Sequence, residues 1–329
     1  MPACVAEAAK AAYDRHLTHY THSLGDPELR REIAAFYLRE YGVTVDPDCI
    51  VVTSGSSPSI LLALMLLCNP DSEVILSNPG YACYRNFVLA TQAKPVLVPL
   101  FKEYLQYDIE AIRKCVNPHT AAIFINSPMN PTGRTISAEL LEQIFKRCEK
   151  LGIFVVLDEC FCEFLENPET ARANIDRMKK FPNLFLLRAF TKIHAMPGLR
   201  LGYGFCSDKK LLDKMEQMRQ PWSVSTAAQE AGAAALKETD RVEKTRRYVA
   251  GERRWMERQM ERLGISYIPS EVNFMMFRGS EDLWERMLKK EILIRDCSNY
   301  DGLSKGDYRV AVKTREENMR LFQAFREVF

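Results

Sequence analysis

Thr191-Lys192 follows a short apolar run, Leu184-Phe185-Leu186-Leu187, and Arg200 comes eight positions later between Gly198 and Gly202. A lysine at the mouth of a buried strand is costly unless its amine does chemistry, because stripping water from an ammonium favours the neutral form. A neutral amine is a nucleophile that condenses with an aldehyde. The nearby arginine offers a planar fork of donors for an anionic group on that aldehyde. The plainer reading is a surface lysine at a strand end, and it stands until other positions are weighed.

Four further segments carry groups that such an aldehyde would need. Thr53-Ser54-Gly55-Ser56-Ser57-Pro58 ends an apolar run and leads into a helix, expected over 58–67 with Pro58 in its first position. Free backbone N–H groups, the Ser56 and Ser57 hydroxyls and the positive end of the helix dipole make that junction either an anion site or a plain serine cap. Asp158 comes directly after Ile153-Phe154-Val155-Val156-Leu157. A carboxylate there is a cap or an ion-pair partner, or else it keeps a pyridine nitrogen protonated and makes that ring a better electron sink. Asn130-Pro131-Thr132-Gly133 reads as a turn, whose asparagine could donate to a ring oxygen. Tyr81, after Val74-Ile75-Leu76, presents an aromatic face that could stack on a flat ring. Each is weak alone. Together they are the parts of a site for an aldehyde bearing a phosphate and a pyridine ring, which is pyridoxal phosphate.

The elements that must place these groups alternate. Apolar runs at 50–52, 73–76, 121–125, 153–157, 184–187 and 202–206 read as buried strands. Asp26-Pro27 opens an amphipathic helix, and a further helix is expected at 138–151. Such alternation points to an α/β fold with a mainly parallel sheet covered on both faces, whose ligands gather beyond the carboxyl ends of the strands. After Trp222 the pattern changes. Residues 227–263 read as a long charged helix broken by Gly232 and Gly251, followed by strands at 272–277, 292–294 and 308–312 and a closing helix at 316–329. The expected division is a large domain over 25–222 and a small one made of 1–24 and 223–329.

The totals exclude other classes. With 329 residues, 47% hydrophobic and 27% charged, the chain reads as an ordinary globular protein. A formal charge of +2 gives no strong field for nucleic acid or an anionic membrane. The longest apolar run, 60–68, is about half of a membrane span. The start, Met1-Pro2-Ala3-Cys4, shows no secretory signal. Ten cysteines without C-x-x-C spacing read as reduced buried thiols of a cytoplasmic protein. His16, His19 and His22 recur every third residue, but no metal is expected because no carboxylate or cysteine completes the set.

Over essentially its whole length the chain resembles the fold-type I, class I/II pyridoxal phosphate-dependent aminotransferases. The likeness is carried by Gly55-Ser56-Ser57, Asn130-Pro131-Thr132-Gly133, Asp158-Glu159 and the stretch from Lys192 to Tyr203, in that order. It implies a mainly parallel seven-stranded sheet between helices, with a smaller α+β domain. It also implies that Lys192, beside Thr191, forms an imine with the cofactor aldehyde, and that Asp158 pairs with the pyridine nitrogen. By the same likeness Tyr81 stacks on the ring, Asn130 contacts the ring oxygen, and Gly55, Ser56, Ser57 and Arg200 hold the phosphate. Tyr20 matches a tyrosine that reaches the phosphate of a neighbouring subunit, so a homodimer with shared active sites is expected. The alternative for Tyr20 is packing on its own domain.

Arg188 to Lys192, Ile294 to Tyr300 and Tyr308 to Val312 resemble the branch containing histidinol-phosphate aminotransferase and threonine-phosphate decarboxylase. In that branch the arginine matching Arg309 binds the acid end of the substrate. Arg295 is then a candidate for a substrate phosphate, and Asn130 a further substrate contact. Phe161 stands where many relatives have a tyrosine, although a phenylalanine also occurs in the decarboxylase group. Ala189 replaces the usual serine or threonine, and the lead-in before Tyr20 is expected to be short. The implied reaction is amino-group transfer between an amino acid or amino phosphate and a 2-oxo acid. Decarboxylation of a phosphorylated amino acid is the alternative. A non-catalytic small-molecule sensor is a third reading, against which stand the retained Lys192 and the lack of a basic helix-turn-helix.

Overall fold

Seven strands build the larger sheet: β1 (Ile50–Thr53), β2 (Glu73–Asn78), β3 (Lys94–Pro99), β4 (Thr120–Asn126), β5 (Phe154–Asp158), β6 (Leu184–Ala189) and β7 (Gly202–Phe205). Their order is β1-β7-β6-β5-β4-β2-β3, and only β7 runs antiparallel to its neighbours. This computed structural model describes residues 1–15, 19–101, 105–167 and 169–329. The central strands are apolar on both faces because helices cover both. Ile123, Val155, Leu157 and Leu186 join one core cluster, while Phe124, Val156, Phe185 and Leu187 join the cluster on the opposite face.

The helices around this sheet are α1 (Ala3–Asp14), α2 (Pro27–Tyr41), α3 (Ser56–Leu67), α4 (Ala82–Ala90), α5 (Ile109–Cys115), α6 (Ala138–Leu151), α7 (Glu169–Lys180), α8 (Lys209–Met218) and α9 (Thr226–Ala235). Pro27 occupies the start of α2, and α6 matches its expected span. Strand β3 is the one the apolar pattern did not reveal. Its two prolines disguise it, and they are tolerated because β3 lies at the sheet edge.

The expected long helix is two helices, α9 and α10 (Thr239–Arg262). Neither Gly232 nor Gly251 breaks them. Gly232 lies inside α9, where its bare Cα lets Leu201 pack close, and the chain turns instead at 236–238. The second sheet has the order β10-β11-β9-β8, with β8 (Tyr267–Ile268), β9 (Phe274–Arg278), β10 (Arg295–Asp296) and β11 (Asp307–Ala311). Residues 292–294 are not a strand; pairing begins only at Arg295, after the short helix α11 (Leu283–Leu288). The last helix, α12 (Arg315–Val328), starts at a capping box between Thr314 and Glu317. Val310, Phe277, Phe322 and Phe325 form a core of their own with Val249 and Met256 from α10. The first helix, α1, packs on α9 and lends Val5 to the core of the large sheet, although residues 1–24 were expected with the smaller unit.

Candidate active site

The anion cradle forms where β1 passes into α3. The helix begins at Ser56 rather than at Pro58, with Gly55 as N-cap at φ 95° and the proline third in the helix. Prolines are tolerated there, because the first N–H groups of a helix have no partner within it. Two side approaches shape the turn. A Cβ on Gly55 would stand 2.6 Å from Nη2 of Arg200, so the guanidinium lies directly over the glycine. A Cβ on Gly202 would stand 2.7 Å from the Gly55 carbonyl carbon and 2.8 Å from the Ser56 nitrogen, so β7 presses under the turn. Arg200 is itself held in a left-handed backbone conformation, and its Nη1 donates to the Pro197 carbonyl at 2.8 Å. Gly55, Ser56, Ser57 and Arg200 are thus brought together around a helix N-terminus.

Asp158 ends β5 and is buried. The Cys160 backbone N–H donates to its Oδ1 at 3.0 Å, and the Tyr84 hydroxyl donates to its Oδ2 at 2.6 Å. Neither donor was singled out from the sequence. The Cys160 thiol links three of the expected groups. It lies close enough to Asp158, Ser56 and Lys192 to feel each of them; burial and then the Asp158 charge push its pKa well above the usual value. Tyr81 caps α4, edge-on to Tyr84 with ring centroids 5.3 Å apart. Burial raises the pKa of its phenol, and Asp158 and Tyr300 both add to that shift.

Asn126 ties the Asn-Pro-Thr-Gly turn to this strand end. Its amide donates to the Asp158 carbonyl at 3.0 Å and its Oδ1 accepts from the Asn130 N–H at 2.7 Å. The Oδ1 of Asn130 accepts from Arg309 and, at 3.3 Å, from the Tyr300 hydroxyl. Its amide nitrogen is therefore the part left to donate.

Lys192 does not match the expectation of a water-stripped amine: in the single chain it is exposed. The residue follows the end of β6 and opens into a cleft of about 1070 Å³ that Asn130, Phe161, Phe274, Arg295 and Arg309 also line. Its Nζ stands 5.0 Å from the centroid of Phe161, which packs edge-on against Phe274 at 5.1 Å. Thr191 is half-buried beside it, and Ala189 faces Gly202 across the sheet. Arg295 and Arg309 are directly opposite each other on β10 and β11, so both side chains leave the same sheet face. Arg309 lies over Phe274 at 4.8 Å, while exposed Arg295 donates to Asn299 at 2.8 Å.

Behind the lysine the polar groups are buried. Arg188, four residues earlier on β6, bridges Glu159 at 2.7 Å and Glu163 at 3.0 Å. Burial is the leading cause that lifts the Glu159 carboxyl above its usual range, with Arg188 opposing it.

Tyr20 lies apart from these groups within the chain. The residue is 75% exposed, and its ring stacks on Trp222 at 4.2 Å, so the contact with its own chain leaves most of the residue open. His16 lies outside the described residues. Among the described residues no three or more His, Cys, Asp or Glu side chains gather as a metal set, and no helix is long and apolar enough to cross a membrane.

The residues fit pyridoxal phosphate on chemistry and placement alike. A helix N-terminus under an arginine suits a phosphate, a buried carboxylate held by neutral donors suits a protonated ring nitrogen, and an amine opens into a cleft beside Asn130.

Comparison with known proteins agrees. The family model "Aminotransferase class I and II" matches residues 1–325. Threonine-phosphate decarboxylase from Salmonella typhimurium is 35% identical over 86% of this chain and 78% of its own length. Histidinol-phosphate aminotransferase 2 from Carboxydothermus hydrogenoformans is 31% identical over 98% of this chain and 86% of its own. The crystal structure of the histidinol-phosphate aminotransferase from Clostridium acetobutylicum superposes with a TM-score of 0.86 at 26% identity, covering 98% of this chain and 95% of that one. The fold is fold type I, the cofactor is pyridoxal phosphate, and the chain belongs to the class I and II aminotransferases.

Proposed function

We propose that the enzyme moves an amino group between an amino acid or amino phosphate of the histidinol-phosphate kind and a 2-oxo acid. The observation that carries this reading is the pair Arg309 and Arg295, side by side in the cleft that Lys192 opens into. Two guanidinium groups on one sheet face suit a doubly anionic partner such as glutamate or 2-oxoglutarate, and either one suits the single phosphate of a histidinol-phosphate-like donor.

Pyridoxal phosphate, when bound, supplies an aldehyde that joins to amines and a ring that accepts the electron pair released at the substrate α-carbon. In this reading the Lys192 amine would hold that aldehyde and would move the proton to and from the substrate α-carbon. Asp158 would keep the ring nitrogen protonated, and Tyr81 would lie against the ring. Gly55, Ser56, Ser57, Thr191 and Arg200 form the phosphate and aldehyde end of the pocket. Asn130 serves both the ring oxygen and, through Arg309, the substrate acid. Tyr20 reaches the site of a second copy, which makes the working form a homodimer; its exposed side chain beside Trp222 supports that assignment, and we place the enzyme in the cytoplasm. We also take the two sheets as two domains, the larger binding the cofactor with α1 and α9 packed on it, and the smaller, from α10 onward, forming the unit that closes the cleft.

Phe161 favours a second reading, decarboxylation of a phosphorylated amino acid. An aromatic ring without a hydroxyl lies beside Lys192, and the Salmonella relative at 35% identity is a threonine-phosphate decarboxylase. The deciding experiment is a panel of histidinol phosphate, aspartate, alanine and threonine phosphate, assayed with and without 2-oxoglutarate. Glutamate formed from an amino phosphate supports transfer. Carbon dioxide released without any 2-oxo acid overturns it in favour of the second reading.

A further inference from the structure

We propose that Tyr84 is a positioning residue: its phenol fixes the Asp158 carboxylate while its ring braces Tyr81, so one side chain sets both groups assigned to the cofactor ring. This rests on the roles given above to Asp158 and Tyr81. The two residues are 74 positions apart, Tyr84 on α4 and Asp158 at the end of β5.

A carboxylate at a strand end can turn about its own side-chain bonds, and its direction is set only by what holds its oxygens. Oδ1 is held by the Cys160 N–H at 3.0 Å, a bond inside the same loop. Oδ2 is held by Tyr84 at 2.6 Å, from a separate element. Tyr84 is 3% exposed and cannot swing away, because Tyr81 packs edge-on at 5.3 Å and Phe124 tilts against it at 5.4 Å.

Both donors are uncharged. A lysine or arginine in either place would cancel the carboxylate charge, whereas a phenol and an amide orient it and leave it negative for a cationic partner. The phenol also keeps its proton to donate, since burial first and the Asp158 charge second push its pKa well above the usual range. A group that held Asp158 only to fill space would have no use for so short a polar contact.

The test uses the full enzyme with Tyr84→Phe and Asp158→Asn variants. Cofactor affinity is measured by titrating apoenzyme, and the ring-nitrogen NMR shift is read on isotopically labelled pyridoxal phosphate. Tyr84→Phe is expected to weaken cofactor binding about tenfold, in keeping with the loss of one hydrogen bond to a charged group. It is also expected to move the ring-nitrogen signal part of the way toward that of Asp158→Asn. An unchanged signal in folded Tyr84→Phe, with Asp158→Asn clearly shifted, overturns the role of Tyr84 alone. No shift in either variant overturns the role given to Asp158 as well. Should Tyr84→Phe fail to fold, fluorotyrosine at position 84 keeps the bond. Its fluorine resonance is expected to move when cofactor binds to protein with Asp158 intact and to stay still in Asp158→Asn; movement in neither overturns the proposal.

Discussion

The two walls of the cleft are built differently. On the side of the large sheet, Asp158 and Tyr84 are buried and bonded to each other, and Arg188 is locked between two carboxylates. On the side of the small sheet, Arg295 is exposed, Leu293 is 77% exposed, and Arg309 is held to the opposite wall through Asn130. A cofactor that stays bound rewards groups that are fixed in advance. A substrate that enters and leaves needs charged groups that can be wetted again. The contrast predicts that changes on the first wall alter cofactor chemistry, whereas changes on the second alter substrate recognition.

The sharpest break would come from Lys192→Ala. Turnover is expected to fall by about ten-thousand-fold, the upper range for losing a positioned acid–base group, and the visible imine absorbance should vanish. Retention of both would remove the lysine from the chemistry. Next comes Arg309→Ala, expected to raise KM for acid-bearing donors by about a hundredfold, as for other truncated charge pairs. The imine absorbance should persist in that variant; its loss would show that the two walls do not act separately.

Gly202→Ala tests the first wall through packing alone. The added methyl would sit 2.7 Å from the Gly55 carbonyl carbon, so the backbone must shift. A loss of about 1–3 kcal/mol is expected from such overpacking, seen as a lower thermal midpoint together with weaker cofactor retention. Arg295→Ala is expected to raise KM about tenfold for doubly anionic donors and to leave singly charged ones unchanged. An equal effect on both kinds would contradict its place at a second anion.

At neutral pH the smallest effect belongs to His194, buried behind the lysine against Phe190 and Phe36. Burial lowers its pKa from the ordinary 6.5 to about 4, so the neutral ring is the native form. An unfolded chain takes up the proton first as pH falls. The contribution is therefore whole above pH 6.5 and lost as pH drops through 4, by up to roughly 3 kcal/mol. Chemical denaturation of His194→Phe across that window should show a shallower acid decline than the parent; an equal slope would mean that other groups carry it.

The parts that read most clearly from the sequence are those set by local chemistry. Pro27 at a helix start, the span of α6, the apolar runs of β4 to β6 and the motifs around Gly55, Asn130, Asp158 and Lys192 all announce themselves within a few residues. The misreadings have equally local causes. Prolines hid β3 because propensity carries no information about lying at an edge. Gly232 suggested a break that helix packing against Leu201 overrides. The run at 292–294 looked like a strand, but its neighbours in space allow pairing only from Arg295.

The sequence by itself determined which groups are present and the order of the elements that carry them, because motif residues and hydrophobic periodicity are properties of short stretches. Only the tertiary structure decided who touches whom. Tyr84 and Asp158 are 74 residues apart, and Tyr300 is 170 from Asn130; no local pattern encodes either bond. Those contacts exist because strand order and helix packing carry distant chain segments to one end of a sheet, where a hydrogen bond depends on a few ångströms and sequence distance counts for nothing.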